Sequence, residues 1–391
     1  MVLASPFPAP RGTQAWVSEL CRALVKLRHE VHLFCYGEGL GGSLPPEAVI
    51  HRAPVVPFVR ADLDSRPRLA RPFNDALLLS TLMRTVRALE PTVIHGHNHE
   101  GGIAAAIAGR VLQVPVVHQI HGSLAEELAA WTGAARFSNR PMRRASRTRA
   151  ILNRGLTKGA GGFGSVLDHL VPRLADWVLT LDQDALETAS LEKGRVTVLP
   201  PGVSRPPYLS SFPKLPEDVD WVVYPGNLDP YQSLHLLVAA WPRVLRELPR
   251  ARLALVTHDD GPKELATMPG VCLIRAKSHM EALSLLGSAR AVVIPRTGGG
   301  GYPIKMLNAL GLGVPVVACE PAAKGLGKES GVLAVASSAD ALSSGILRLL
   351  RDRELQRSLS TAARAFCEAN PWRAVAEVVA GVYDLVCHRL A

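Results

Sequence analysis

Short β-branched runs alternate along the chain with longer amphipathic runs, the pattern of a parallel α/β sheet. The early strands are expected at Val31–Tyr36, Thr92–His95 and Val114–His118, with helices at Thr13–Leu27, Phe73–Leu89 and Gly102–Leu112. Trp177–Leu181 and Val196–Leu199 complete a first set of strands. A stretch from Pro200 to Pro216 then holds six prolines in seventeen positions. Proline feeds neither a helix interior nor a central strand, so this stretch reads as a linker. A second series follows, with strands at Asp220–Tyr224, Ala251–Thr257, Val271–Ile274, Ala291–Pro295 and Val314–Ala318. Its helices include Tyr231–Leu248 and Tyr302–Gly311. The tail from Pro371 to Leu390 reads as one amphipathic helix, with Asn370 as its N-cap. The expected organisation is a first α/β domain over 1–205, a second over 206–369, and a terminal helix over 370–391. Two such domains joined by a proline-rich hinge bind ligand in the cleft between them.

Composition narrows the class. Of 391 residues, 48% are hydrophobic and 20% charged, with 33 Gly and 30 Pro. These values exclude disorder, collagen-like repetition and a disulfide scaffold. The six cysteines form no C-x-x-C pair or ligand-like cluster, so they read as free thiols. No apolar run approaches the ~18 residues of a membrane span. The opening residues lack the basic region and apolar core of a signal peptide, so a cytoplasmic protein is expected.

Three glycine-containing loops differ in meaning. Gly37-Glu38-Gly39-Leu40-Gly41-Gly42 matches G-x-G-x-x-G, but Ser43-Leu44-Pro45-Pro46 follows and no helix opens, so it reads as a surface loop. Pro8 to Thr13 joins the first strand to the first helix at the carboxyl edge of the sheet. There Gly12 permits close backbone approach and Thr13 can cap the helix. A plain turn and a phosphate-facing loop fit this segment equally. Gly298, Gly299, Gly300 and Gly301 follow a strand and precede a helix, so their N–H groups can converge on one anion. Lys305 and Asn308 lie three apart on that helix and share a face. A cation followed by a neutral amide suits a phosphate and then a ribose or sugar hydroxyl. Among the histidines His95, His97, His99, His118 and His121, no carboxylate cluster accompanies the spacing, so no metal site is expected. At the mouth of the cleft, His121 is a candidate catalytic group and His97 a candidate on the acceptor side, for hydrogen bonding or proton handling.

These pieces, taken in order, resemble the family-4 type glycosyltransferases of the GT-B fold nearly end to end. Ser5-Pro6-Phe7-Pro8 with Gly12-Thr13-Gln14, and His29-Glu30-Val31, are similar to the family's N-terminal loop and second strand. Val93-Ile94-His95-Gly96-His97 and Val116-Val117-His118-Gln119-Ile120-His121-Gly122 resemble its next two strand ends. Val198-Leu199-Pro200-Pro201-Gly202-Val203 resembles the close of its first domain, and Tyr224-Pro225-Gly226-Asn227-Leu228 the start of its second. Gly300 to Leu310, ending Gly313-Val314-Pro315-Val316-Val317-Ala318, is similar to the donor-binding loop and helix. Trp372 to Tyr383 fits the terminal helix.

The resemblance implies two Rossmann-like parallel-sheet domains facing across a cleft, with the C-terminal helix crossing back to the first. It implies retaining transfer of a sugar from a nucleotide diphosphate sugar, without a metal or other cofactor, to a cell-envelope glycolipid or polysaccharide. Gly12 would lie near the donor phosphates and His121 near the transferred sugar. The loop Gly298–Gly301 with Tyr302 would hold the pyrophosphate, and Asn308 a ribose hydroxyl. Lys305 and Arg296 would supply positive charge, Lys305 stabilising the leaving diphosphate. Gly300 and Asn308 stand where the family carries two glutamates, and Asn227 and Gln232 where it carries a basic pair. The donor site is therefore expected to be diverged; a catalytically degenerate protein that binds a sugar nucleotide or serves as a scaffold is the alternative.

Charge adds a last feature. The 44 Lys+Arg against 34 Asp+Glu leave +10. Between Leu128 and Leu167 there are eight basic residues, among them Arg140, Arg143, Arg144 and Arg147, and no acidic one. The remainder of the chain is near balance. Such a segment on the acceptor side suits an anionic membrane surface or a lipid phosphate. Nucleic acid is not expected, since aromatics are only 5% and no recognition motif appears. The expected location is the cytoplasm, peripheral to the inner face of the membrane.

Overall fold

The computed structural model describes residues 1–9, 11–39, 45, 48–56, 71–133, 161–181, 191, 193–205, 209–258, 261, 263–298, 303–324 and 326–390; for 129–133, 263 and 390 it describes the backbone alone. The chain divides into two compact units. One comprises the described residues of Met1–Gly133, Ile151–Pro201 and Trp372–Ala391, and the other lies in Gly202–Pro371.

The first unit is a seven-stranded parallel sheet. Its strands are β1 (Val2–Leu3), β2 (His32–Cys35), β3 (Val49–Arg52), β4 (Ile94–His97), β5 (Val116–Ile120), β6 (Trp177–Thr180) and β7 (Val196–Val198). They lie in the order β3-β2-β1-β4-β5-β6-β7. Helices α1 (Gly12–Lys26), α2 (Arg71–Leu89), α3 (Asn98–Leu112) and α4 (Leu124–Gly133) connect them, and a further helix, α5, covers 161–170. The central strands are buried on both faces, which explains their near-continuous apolar character. Register aligns Leu3 with His97 and His97 with Gln119. The carboxyl ends of β1, β4 and β5 therefore finish level, and the turns after these strands share one edge.

The second unit is a six-stranded parallel sheet of β8 (Asp220–Pro225), β9 (Ala251–Thr257), β10 (Val271–Arg275), β11 (Ala291–Ile294), β12 (Val316–Cys319) and β13 (Val332–Val335), ordered β10-β9-β8-β11-β12-β13. Helices α6 (Leu234–Glu247), α7 (His279–Gly287), α8 (Ile304–Gly311), α9 (Ala339–Arg351) and α10 (Arg353–Ala369) cover it. Alternation divides its core in two. Val223, Val292 and Ile294 pack on Met306 and Leu310 of α8. Val222, Val293 and Val317 pack on Leu237 and Trp241 of α6 and Ile346 of α9. The last helix, α11 (Trp372–Leu390), belongs to the first unit. Its Trp372 meets Trp16 of α1 edge-on with ring centroids 4.5 Å apart.

Several expectations shift. Thr13 does not cap α1: the helix begins at Gly12 with Arg11 in the N-cap position, and Arg11 makes no side-chain capping bond. β4 ends at His97 rather than His95, and α3 starts at once instead of at Gly102. Asn98 makes this joint possible by taking a left-handed conformation, φ 58°, which a short polar side chain tolerates. β5 runs two residues later than expected, because Gln113 closes α3 in the left-handed region and Pro115 accepts from Ile94 N–H. Asn370 is the C-cap of α10 rather than the N-cap of the tail helix, and its side chain donates to the Phe366 carbonyl at 2.8 Å. Pro371 forms a parallel bridge with Val203, so α11 starts one residue later, at Trp372. α8 starts at Ile304 with Pro303 as N-cap, two residues after the expected start. β3 escaped the pattern because Val49-Ile50-His51-Arg52 is a half-exposed edge strand without apolar alternation.

α3 sits unusually close to the sheet. A Cβ on Gly109 would overlap Val116 Cγ2 and lie 2.7 Å from the Val114 carbonyl oxygen. A Cβ on Gly381 of α11 would meet no described atom within 4 Å. Gly109→Ala is therefore expected to destabilise by about 1–3 kcal/mol through overpacking, despite the better helix propensity of alanine. Gly381→Ala is expected to stabilise by about 0.5–1 kcal/mol. Opposite shifts of the denaturant midpoint for the two variants check this seating.

Candidate functional site

In a doubly wound sheet, ligands gather at the carboxyl ends of the strands where the strand order reverses. In the first unit that reversal falls between β1 and β4, the strand that His97 ends. His121 stands one residue beyond β5. The two rings meet through a 3.1 Å hydrogen bond between His97 Nδ1 and His121 Nε2. His95, two residues earlier on the same strand face, stacks on His97 with centroids 4.2 Å apart. Its Nδ1 shares a 2.7 Å hydrogen bond with the Tyr383 hydroxyl of α11. Trp16 of α1 lies edge-on to His121, 6.4 Å away.

Burial decides the charge of these rings. It lowers His95 and His97 well below the ordinary histidine range, and lowers His118 and His121 to about 3. All four are neutral at pH 7. A neutral imidazole donates through one nitrogen and accepts through the other. His97 and His121 can thus bind hydroxyls, and neither holds a second proton to release near neutrality. Among the described residues, no group of three or more His, Cys, Asp or Glu could hold a metal ion.

Gly12 opens α1 at the same edge and is exposed. The preceding loop is held by Gln14, whose Nε2 donates to Ser5 Oγ at 3.0 Å. At β2 the Tyr36 hydroxyl donates to Asp75 Oδ1 of α2 at 2.5 Å. Burial raises the Asp75 carboxyl to about 6.

In the second unit the reversal falls between β8 and β11. Gly226 follows β8 with φ 108°, and its N–H donates to the Val256 carbonyl. Lys305, in the first turn of α8, places its ammonium 4.5 Å from the centroid of the buried Tyr224 ring and 3.2 Å from its hydroxyl. That hydroxyl donates to the Asn227 carbonyl at 2.6 Å. Beyond β11, Arg296 is 8% exposed, and the Thr297 and Ser233 hydroxyls lie 2.8 Å apart. Asn308 is half-buried one turn after Lys305. Asn227, at a position expected to be basic, donates to Asp229 Oδ2 at 2.7 Å. Gln232, at the other such position, is 5% exposed.

Lys305, Asn308, Arg296 and Gly298 therefore gather at one strand edge, and His97 and His121 at the other unit's. Gly299, Gly300, Gly301 and Tyr302 lie outside the described residues, as do Arg140, Arg143, Arg144, Arg147 and the rest of the basic segment from Arg136 to Lys158. Leu40, Gly41 and Gly42 of the formal G-x-G-x-x-G also lie outside them. Sequence reasoning did not single out Tyr224, Ser233 or Thr297. The Tyr-Pro-Gly start of the second unit was the available signal for Tyr224; the hydroxyl pair joins residues 64 apart and left none.

Comparison with known proteins bears on the family and the fold. Residues 10–158 match the family profile described as Glycosyltransferase Family 4. Residues 220–352 match that described as Glycosyl transferases group 1. The structure is similar to sucrose-phosphate synthase from Thermosynechococcus elongatus, at 19% identity, TM-score 0.73 and 98% coverage of each chain. It is similar to Anabaena HepE in complex with UDP-glucose, at 15% identity, TM-score 0.65 and 98% coverage of each. It is also similar to WaaG, a glycosyltransferase involved in lipopolysaccharide biosynthesis, at 15% identity, TM-score 0.63 and 98% coverage of each. No curated protein sequence matches the chain.

The neutral imidazoles make stability pH-dependent. Below the unfolded histidine value of about 6.5, the unfolded chain binds protons that the folded chain refuses, so stability falls as pH falls. Asp75 opposes this between its unfolded and folded values, because there the folded chain holds the extra proton. With the four imidazoles against one carboxyl, and His51 lowered by burial as well, unfolding at pH 5 is expected to take up roughly three protons or slightly more. The slope of the denaturation free energy between pH 7 and 4.5 measures this, and His118→Leu should lower it by about one proton.

Proposed function

The chain belongs to the family-4 type glycosyltransferases of the GT-B fold, and on that premise we propose that it moves a sugar, with retention, from a nucleotide diphosphate sugar to a cell-envelope glycolipid or polysaccharide. The observation that carries this reading is the cationic strand edge of the second unit. Lys305 is held against Tyr224 at the start of α8, and Arg296 and Gly298 follow β11, the strand that leads to this helix. An ammonium, a guanidinium and a helix N-terminus suit a diphosphate, and they gain importance as charge develops on it during bond breaking.

In the proposed reaction the bond from the anomeric carbon to the β-phosphate oxygen breaks, and the acceptor oxygen bonds to that carbon on the same face. The acceptor's proton passes to the departing phosphate oxygen. Lys305 and Arg296 stabilise the leaving diphosphate, and Asn308 binds a ribose hydroxyl. We assign Gly299, Gly300, Gly301 and Tyr302 to the same phosphate-binding segment, and the exposed Gly12 of the first unit remains a separate candidate. His121 and His97 serve as neutral hydrogen-bonding groups for sugar hydroxyls. No step calls for a metal or a further cofactor.

Peripheral binding to an anionic membrane is part of the same proposal. The acid-free basic stretch supports it through Arg140, Arg143, Arg144 and Arg147. So do Phe163, Val166, Leu170 and Leu174, which are 63%, 53%, 50% and 36% exposed. They recur at i, i+3, i+7 and i+11 through α5 and the turn after it, a stripe suited to lying in a bilayer interface. Among the described residues no helix is long and apolar enough to cross a membrane.

Two measurements test this. Calorimetry with a panel of UDP-, GDP- and ADP-sugars is expected to find one donor that binds, and Lys305→Gln should weaken it roughly 10- to 100-fold. Binding without turnover would select the degenerate alternative, and no binding to any donor would remove the donor reading. Co-sedimentation with vesicles of phosphatidylglycerol and phosphatidylcholine is expected, but not with phosphatidylcholine alone. The double variant Phe163→Ser, Leu170→Ser should reduce it about tenfold or more. Equal recovery with both vesicle types would overturn the membrane reading.

A further inference from the structure

The carboxylate of Asp168, on α5, is 8% exposed and takes four hydrogen bonds from described residues. Its Oδ1 accepts from the Leu124 N–H at 2.9 Å and pairs with His99 Nε2 at 2.7 Å. Its Oδ2 accepts from the Ser123 hydroxyl at 2.8 Å and from the Ala125 N–H at 3.0 Å. Burial alone would raise its pKa. The donors, His99 first among them, outweigh burial and hold the carboxyl below its ordinary range.

The donors come from two places with one feature in common. His99 stands two residues after His97, in the turn where β4 passes directly into α3. Ser123 stands two residues after His121, in the turn from β5 into α4. Each ring of the His97–His121 pair is thus two residues upstream of a donor to the same carboxylate. The start of α3 is also pressed against β5, since a Cβ on Gly102 would lie 2.5 Å from His118 Nδ1.

Capping α4 alone would not require this arrangement. Ser123 Oγ already accepts from the Glu126 N–H at 3.2 Å, which is an N-cap bond in its own right. The His99 bond adds nothing to α4. What it adds is a link between the turn after β4 and the turn after β5.

We propose that Asp168 is a positioning residue that holds the His97–His121 hydrogen bond by tying together the two turns that carry these rings. Its consequence for sugar transfer rests on the glycosyltransferase reading above; its consequence for the histidine pair does not. Two neutral imidazoles 3.1 Å apart share one proton between defined nitrogens, so a small rotation of either turn breaks the bond. The carboxylate fixes the turns in register, and His99 and Ser123 are the contacts through which it acts.

The test uses the full chain labelled with 15N-histidine. Side-chain correlation spectra should show one slowly exchanging imidazole N–H for the pair, identified by its loss in both His97→Gln and His121→Gln. In Asp168→Asn that N–H is expected to exchange with solvent roughly tenfold faster or more while the protein stays folded. His99→Gln should do the same without disturbing the cap of α4. Should Asp168→Asn fail to fold, His99→Gln and Ser123→Ala carry the test. A purely structural cap would lower the thermal midpoint and leave the N–H in place, and an unchanged N–H in folded His99→Gln and Asp168→Asn would overturn the proposal. Transfer from the donor found by calorimetry supplies the second arm, with kcat/KM falling in Asp168→Asn in step with loss of the N–H. Absence of turnover in the parent protein would count against the glycosyltransferase reading and leave the spectroscopic result standing.

Discussion

The close approach of α3 to the parallel sheet is the constraint on which the first unit depends. Three positions on this helix have no room for a Cβ. On Gly101 it would lie 2.6 Å from the Val2 carbonyl oxygen, on Gly102 it would meet His118, and on Gly109 it would overlap Val116. The strand therefore passes into the helix without a connecting loop, through the left-handed Asn98. The residues flanking that joint, His97 and His99, consequently have little freedom. A helix set farther out would need a longer turn, and the two rings would no longer be placed by the backbone alone.

Packing of this kind also determines the chemistry of the edge. Imidazoles enclosed between a sheet, α1 and α11 lose water, and burial of this order removes their charge. His97 Nε2 and the side-chain amide of Gln119 are buried without a partner among the described residues. Such groups cost about 1–3 kcal/mol each when left unpaired, which is unusual in a native interior. The first unit thus holds several polar groups in place that favour neutral hydrogen bonding. The second unit has the same doubly wound topology and the opposite chemistry, with Lys305 and Arg296 at its switch point. The fold is repeated, and the residues at the strand ends differ in the work they suit.

Much of the architecture was legible because two periodicities dominate the chain. Strands buried on both faces appear as unbroken apolar runs, and a run such as Ala291–Ile294 is delimited sharply by Arg290 before it and Pro295 after it. The boundaries that moved did so where a single residue took a conformation that composition does not reveal. Asn98 and Gln113 in the left-handed region shifted the ends of β4 and β5, and Pro371, bridged to Val203, delayed the last helix. The site was legible in part. Lys305 and Asn308 follow from helical spacing, and the histidines from their places at strand ends. The His99–Asp168 and Tyr224–Lys305 contacts join residues 69 and 81 apart and leave no local trace.

Tyr224 gives Lys305 a defined place. A lysine on an exposed helix turn would be free to sample many rotamers, and ordering it on a diphosphate would cost entropy. Here the ammonium is already held by the Tyr224 ring and hydroxyl, and that hydroxyl is itself fixed by the Asn227 carbonyl. Much of the ordering is complete before any ligand arrives. The Asn227 backbone anchors the tyrosine that orients Lys305. The positive charge of this edge sits at the first turn of α8. Asn308, one turn farther along, is neutral and half-buried, so it does not oppose the charge of the lysine beside it.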